Sequence, residues 1–137
     1  MNAISLTAIG VVDSALTELA AAPNQGDEGA PDARLRLEAD VLPALEGIAP
    51  GDELIVITWL DLARRDVLRV HPRGDVSRPE RGVFGTRSPD RPNPIGLHRV
   101  RVLAVEGASV HVSALEAVAG TPILDLKPVL SADVSAR

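Results

Sequence analysis

The chain contains no cysteine and no tyrosine, one phenylalanine and one tryptophan. Without cysteine there can be no disulfide, no thiolate metal ligand and no cysteine nucleophile. With Phe84 and Trp59 as the whole aromatic complement, the core must be built from Val, Leu, Ile and Ala, and a base-stacking platform is hard to assemble. No run of about 18 apolar residues is present, so no membrane-spanning helix is expected. The opening Met1-Asn2-Ala3-Ile4-Ser5 lacks the basic start of a signal peptide. Together with the missing cysteines, this sets the expectation of a cytoplasmic protein. No G-x-G-x-x-G following a strand occurs, nor a P-loop, H-E-x-x-H or G-x-S-x-G. An ordinary Rossmann nucleotide-binding protein is thereby excluded, and no hydrolytic triad has local support. His71, His98 and His111 show no metal-ligand spacing and read as strand or surface histidines, so no metal is expected.

What is present fits one domain. A length of 137 residues suits a single domain over residues 1–137 with one proper core. The 45% hydrophobic and 24% charged fractions are ordinary for a globular protein. The net charge of −5 is unevenly spread: residues 64–101 carry ten arginines against four acids, whereas residues 1–63 carry two basic and eleven acidic residues. Arginine favours bidentate contact with phosphate and carboxylate. This basic island is either a surface for an anionic partner such as RNA or a solvated face paired with acids of the same domain.

One stretch stands apart: Gly82-Val83-Phe84-Gly85-Thr86-Arg87-Ser88-Pro89-Asp90-Arg91-Pro92-Asn93-Pro94-Ile95-Gly96-Leu97. Pro89, Pro92 and Pro94 fix several φ angles and push the residues before them toward extended geometry. Neither a helix nor a central strand can run through them. Val83-Phe84 before, and Ile95 to Val105 after, read as strands, so the stretch is predicted to be a rigid loop pinned between two core strands. It would present Arg87, Ser88, Asp90, Arg91 and Asn93 either as a stiff polar turn or as a pre-organised ligand platform.

In chain order, Ile4 to Val12 reads as a first strand and Ser14 to Ala22 as a short helix or apolar flap. Pro23 to Asp32 reads as a loop. Arg34 to Glu38 alternates as a half-buried strand. Asp40 to Ile48 carries a helical pattern, with Asp40 as N-cap and Val41, Leu42, Leu45 and Ile48 on one face. Glu53 to Leu60 is the most apolar run and reads as a strand buried on both faces; Asp61 at its end is either a surface cap or part of a site. Val67 to His71 reads as a further strand. His98 to Val105 forms a hairpin with Ser109 to Val118, and Ile123 to Pro128 is a last extended element. About seven short strands and one short helix predict an all-β fold, a small barrel or sandwich.

Polar groups gather in a second loop, Asp125-Leu126-Lys127-Pro128, after Gly120-Thr121-Pro122. An arginine and a carboxylate are the groups needed to hold a zwitterionic amino acid and a sugar diol. Arg87 would pair with the α-carboxylate, and Asp125 with an ammonium or ribose hydroxyls. The alternative is that Asp125 pairs with Lys127 or an arginine in an internal ion pair.

The stretch from Gly82 to Leu97 closely resembles the signature of the TrmO family, also called the TsaA-like or YaeB-like domain. Gly120-Thr121-Pro122-Ile123-Leu124-Asp125-Leu126-Lys127-Pro128 resembles its second signature, and Ile9-Gly10-Val11-Val12 its first strand. The resemblance implies a small closed or partly open β-barrel that binds S-adenosyl-L-methionine, as a homodimer. It further implies methylation of N6 of the threonylcarbamoyl-adenosine beside the tRNA anticodon. Carried over by position, cofactor contacts would come from Pro23, Asn24 and Gln25, from Asp61 and Leu62, from Arg87 and Leu97, and from Pro122, Ile123, Leu124 and Asp125. Asp125 and Asn93 are the candidate catalytic residues. Asn24 stands where the family tends to have arginine, Asp61 where many members have histidine, and Gly51-Asp52-Glu53 where an aromatic-Ser-His run is usual. A small-molecule methyltransferase and a non-catalytic S-adenosylmethionine-binding module are the alternative functions on the same fold.

Overall fold

In the computed structural model, residues 1–18, 22–23 and 29–130 are described. Eight strands are present among them: β1 (Gly10–Asp13), β2 (Ala33–Leu37), β3 (Glu53–Trp59), β4 (Arg69–Val70), β5 (Arg81–Gly82), β6 (Ile95–Glu106), β7 (Ser109–Val112) and β8 (Pro122–Pro128). Six of them close into a barrel in the order β1-β2-β7-β6-β3-β8, and every neighbouring pair is antiparallel. The pair β4-β5 lies outside the barrel as a separate ribbon.

Period-two patterning explains which side chains enter the barrel. In β2, Leu35 and Leu37 point inward and Arg34 and Arg36 outward. In β6 the inward row is Gly96, His98, Val100 and Val102. The interior is filled by Val12, Leu35, Leu54, Val56, Val100, Val102, Val110, Val112, Leu115 and Ile123, an aliphatic core as the composition requires. A barrel this small has room only for side chains in its interior.

Several sequence expectations need correction. The first strand starts at Gly10 rather than Ile4, because its partners on β2 and β8 begin opposite Gly10, at Leu37 and Ile123; Ile4 and Leu6 are exposed. Strand β3 is buried on one face only, through Leu54, Val56 and Thr58, since a closed barrel has a single interior. The expected helix over Asp40 to Ile48 is a 3-10 segment, Ala39–Leu45, with Glu38 and not Asp40 at the N-cap position and no side-chain capping bond. Pro43 inside it has no N–H for an α-helical bond. Val41, Leu45 and Ile48 still pack onto the core as their spacing predicts. Ser14 to Glu18 is not helical, and the rest of that expected segment lies largely outside the described residues. The strand expected over Val67 to His71 shrinks to β4, and Val83–Gly85 is a 3-10 turn. The proline loop therefore leads into a barrel strand on one side only.

Two bulges shape the sheet. Between β3 and β8 the register shifts so that Ile57 faces Asp125 and Thr58 faces Ile123, leaving Leu124 unpaired. Between β6 and β7 it shifts past Leu103. Such insertions bend a strand and let a small barrel close.

Candidate active site

Between β3 and β6 the chain leaves the barrel, from Leu60 to Pro94, and folds back beside the barrel mouth. The space between this excursion and the barrel is a cleft of about 1880 Å³. Its walls include Pro23, Asp61, Leu62, Arg87, Leu97 and Glu116.

The proline loop is held by its own arginine. Arg91 Nη1 donates to the carbonyls of Thr86 and Ser88 at 3.1 Å each, and Nη2 donates to Val83 O at 2.5 Å and Thr86 O at 3.2 Å. The Thr86 hydroxyl donates to Val83 O at 2.9 Å and accepts from Ser88 N at 3.1 Å. The other end is pinned by Arg65, which lies 5.1 Å over the Trp59 ring and donates to Pro92 O at 2.8 Å and Asn93 Oδ1 at 3.0 Å. Asp90 accepts from the Arg64 backbone N–H at 2.8 Å. Ser88, Asp90, Arg91 and Asn93 thus brace the loop. Arg87 is exposed, lines the cleft and has no hydrogen-bond or ion-pair partner among the described residues.

The carried-over positions divide into two groups. Pro23, Asp61, Leu62, Arg87 and Leu97 come together on the cleft wall. Pro122, Ile123, Leu124 and Asp125 lie in β8 and do not line it, although the neighbouring Thr121 does. Ile123 is fully buried in the core. Asp125 pairs with Lys127 at 3.2 Å and accepts from its neighbour's backbone, Leu126 N, at 2.9 Å; the internal ion pair is the arrangement observed. Asn24 and Gln25 lie outside the described residues.

Sequence reasoning missed a polar group at the barrel mouth. His98 is 4% exposed, Thr58 0%. His98 Nε2 is 2.6 Å from Thr58 Oγ1 and Nδ1 is 2.6 Å from Glu116 Oε1. His98 and Glu116 line the cleft. The available signal was phase: His98 alternates in step with the inward Val100 and Val102. On the outer face of the sheet, Arg99 donates to Glu53 at 2.8 Å. That hydrogen bond and the Arg99 charge, with a smaller effect of Arg101, hold the Glu53 carboxyl below its ordinary range. Among the described residues no group of His, Asp and Glu is arranged to hold a metal ion, and no helix is long and apolar enough to cross a membrane.

The model of the tRNA-methyltransferase O N-terminal domain matches residues 11–133. A probable S-adenosyl-L-methionine-binding protein of Methanothermobacter thermautotrophicus is 40% identical over 125 residues, covering 91% of this chain and 89% of its own. The tRNA (adenine(37)-N6)-methyltransferase of Rattus norvegicus is 50% identical over 50 residues, 36% of this chain and 12% of that one. The crystal structure of TrmO from Pseudomonas aeruginosa superposes with a TM-score of 0.75 at 29% identity, covering 99% of this chain; the match spans 61% of the TrmO chain.

Proposed function

Because the chain belongs to the tRNA-methyltransferase O N-terminal domain family, we propose that its cleft binds S-adenosyl-L-methionine and that the protein methylates N6 of threonylcarbamoyl-adenosine beside the tRNA anticodon. The observation that carries this reading is that Asp61, Leu62, Arg87 and Leu97, which come from separate segments of the chain, all line one cleft. Their chemistry suits the cofactor. Arg87 is a guanidinium without a partner among the described residues, on a braced loop, able to hold an α-carboxylate through two parallel hydrogen bonds. Asp61 offers a carboxylate to an ammonium or to ribose hydroxyls. Leu62 and Leu97, 61% and 43% exposed, offer apolar surface to a purine. The bound cofactor supplies an electrophilic methyl group on a sulfonium. The protein's part is to orient donor and acceptor, and a loop already rigid reduces the entropy lost on binding.

Exposed arginines of the basic island, such as Arg78, Arg81 and Arg101, are the surface for the tRNA backbone. In this reading the protein acts as a single barrel domain in the cytoplasm. It pairs as a homodimer through the apolar rim at Phe84 and Ile95, 84% and 42% exposed.

Calorimetry with S-adenosyl-L-methionine tests the cofactor site: the wild type should bind and Arg87→Ala should lose binding. Unchanged affinity in Arg87→Ala would refute its role. Incubation with tRNA carrying threonylcarbamoyl-adenosine, read by mass spectrometry of the nucleosides, tests the acceptor. Cofactor binding without tRNA methylation would favour a small-molecule acceptor or a binding module.

A further inference from the structure

Thr58, His98 and Glu116 form one continuous hydrogen-bonded array running from the barrel interior to the cleft. Both links, at 2.6 Å, are shorter than the usual N···O separation of about 2.9–3.0 Å. Thr58 is fully buried, so a ligand cannot meet it. The side chain of Glu116 is 14% exposed and lines the same cleft as Arg87 and Leu97. Placing these three polar side chains against an aliphatic core costs desolvation that valine and leucine would not. The array is also built into the backbone: Gly96 faces Thr58 across the β3–β6 ladder, and a Cβ there would lie 2.6 Å from Thr58 Oγ1 and 2.7 Å from His98 Nε2.

The bonding pattern follows from the donors available. A ring carrying one proton satisfies both links when His98 Nδ1–H donates to Glu116 Oε1 and the Thr58 hydroxyl donates to Nε2. Glu116 Oε1 is thereby fixed, which leaves Oε2 for a group in the cleft. Methylation of an N–H nitrogen forms an N–C bond and breaks the N–H bond. The electron pair of the broken S–C bond stays on sulfur, and one proton is left over. We infer that Glu116 accepts this proton as general base, and that His98 and Thr58 are positioning residues that aim its carboxylate. The inference rests on the reading of the cleft as a methyltransferase site. The array also tolerates the extra proton. Held on Glu116 Oε2, it leaves Oε1 accepting from His98 Nδ1–H and Nε2 accepting from the Thr58 hydroxyl, so no buried polar atom loses its partner. Asp125, the carboxylate that the sequence put forward for this role, is paired with Lys127 and does not line the cleft.

The test combines binding, transfer and spectroscopy on the full chain. Glu116→Gln is expected to keep cofactor affinity within about twofold by calorimetry while lowering the single-turnover rate of methyl transfer by about 10²–10⁴-fold. Glu116→Asp is expected to restore part of that rate. In the wild type without cofactor, nitrogen-15 spectra of the histidine rings should show His98 protonated at Nδ1 and not at Nε2, and in Glu116→Ala the proton should move to Nε2. If Glu116→Gln does not fold, Glu116→Asp and the wild-type spectra decide. No cofactor binding by the wild type would overturn the methyltransferase reading and this inference together. Cofactor binding with transfer unaffected in Glu116→Gln, or a wild-type His98 carrying its proton at Nε2, would overturn this inference alone.

Discussion

Replacing Gly96 by alanine places a methyl group 2.6 Å from Thr58 Oγ1 and 2.7 Å from His98 Nε2. Neither neighbour is free to retreat. Thr58 is 0% and His98 4% exposed, and the far side of the imidazole is held by Glu116 at 2.6 Å. The Thr58–His98 bond must lengthen or break, at about 1 kcal/mol. Overpacking adds about 1–3 kcal/mol. Gly96 does not occupy the left-handed region, so alanine is allowed on the backbone and recovers about 0.4–1 kcal/mol from the unfolded chain. The net loss is about 2 kcal/mol, or roughly 5–8 °C in Tm for a chain of this size. Urea and thermal unfolding would measure it. The Thr58→Ala change removes one obstruction and gives the ring space. The double variant should therefore lie about 1 kcal/mol above the sum of the single changes. A Gly96→Ala protein within about 0.5 kcal/mol of wild type, or strict additivity in the double variant, would show that the array is not packed as described.

Arg91→Lys leaves one ammonium where a guanidinium donates to three carbonyls. A loss of about 2 kcal/mol is expected, with faster hydrogen exchange over residues 83–91 and the barrel amides unaffected. Arg99 holds the Glu53 carboxyl below its ordinary range, so this pair contributes stability that is present above the unfolded-state value and lost as pH falls through the lower folded one. Asp66, depressed by its hydrogen bond to Arg64, and Asp75, depressed by its bonds from Ser77, act with the same sign. The urea midpoint should fall in acid, and less steeply in Arg99→Met; equal slopes would exclude the Glu53–Arg99 contribution. Asp125→Ala breaks an ion pair that is 50% and 44% exposed and should cost no more than about 1 kcal/mol, with cofactor affinity unchanged; lost affinity by calorimetry would return Asp125 to the cofactor site.

Much of this protein is local and therefore legible from the chain. The φ restraint of Pro89, Pro92 and Pro94 acts within one or two residues, so the rigid loop is readable without a structure. Strands β2 and β6 follow from period-two alternation, and the scarcity of aromatics and the absence of cysteine dictated an aliphatic core without cross-links. The family resemblance lies in the same contiguous stretches. Which arginine of the loop is left without a partner among the described residues was not readable. Arg87 and Arg91 are chemically alike, and only the convergence of the Val83, Thr86 and Ser88 carbonyls decides that Arg91 is consumed inside the loop. The apolar run of β3 looked two-sided because sequence cannot say that a barrel has one interior. Asp125 could have faced a ligand or Lys127, and the strand geometry chose Lys127. The Thr58–His98–Glu116 array joins residues 40 and 18 positions apart. It exists because the β3–β6 register sets Thr58 opposite Gly96 and barrel closure turns His98 inward; the phase of β6 carries His98's burial, but its bonds to distant residues are created by closure and have no trace in the local sequence.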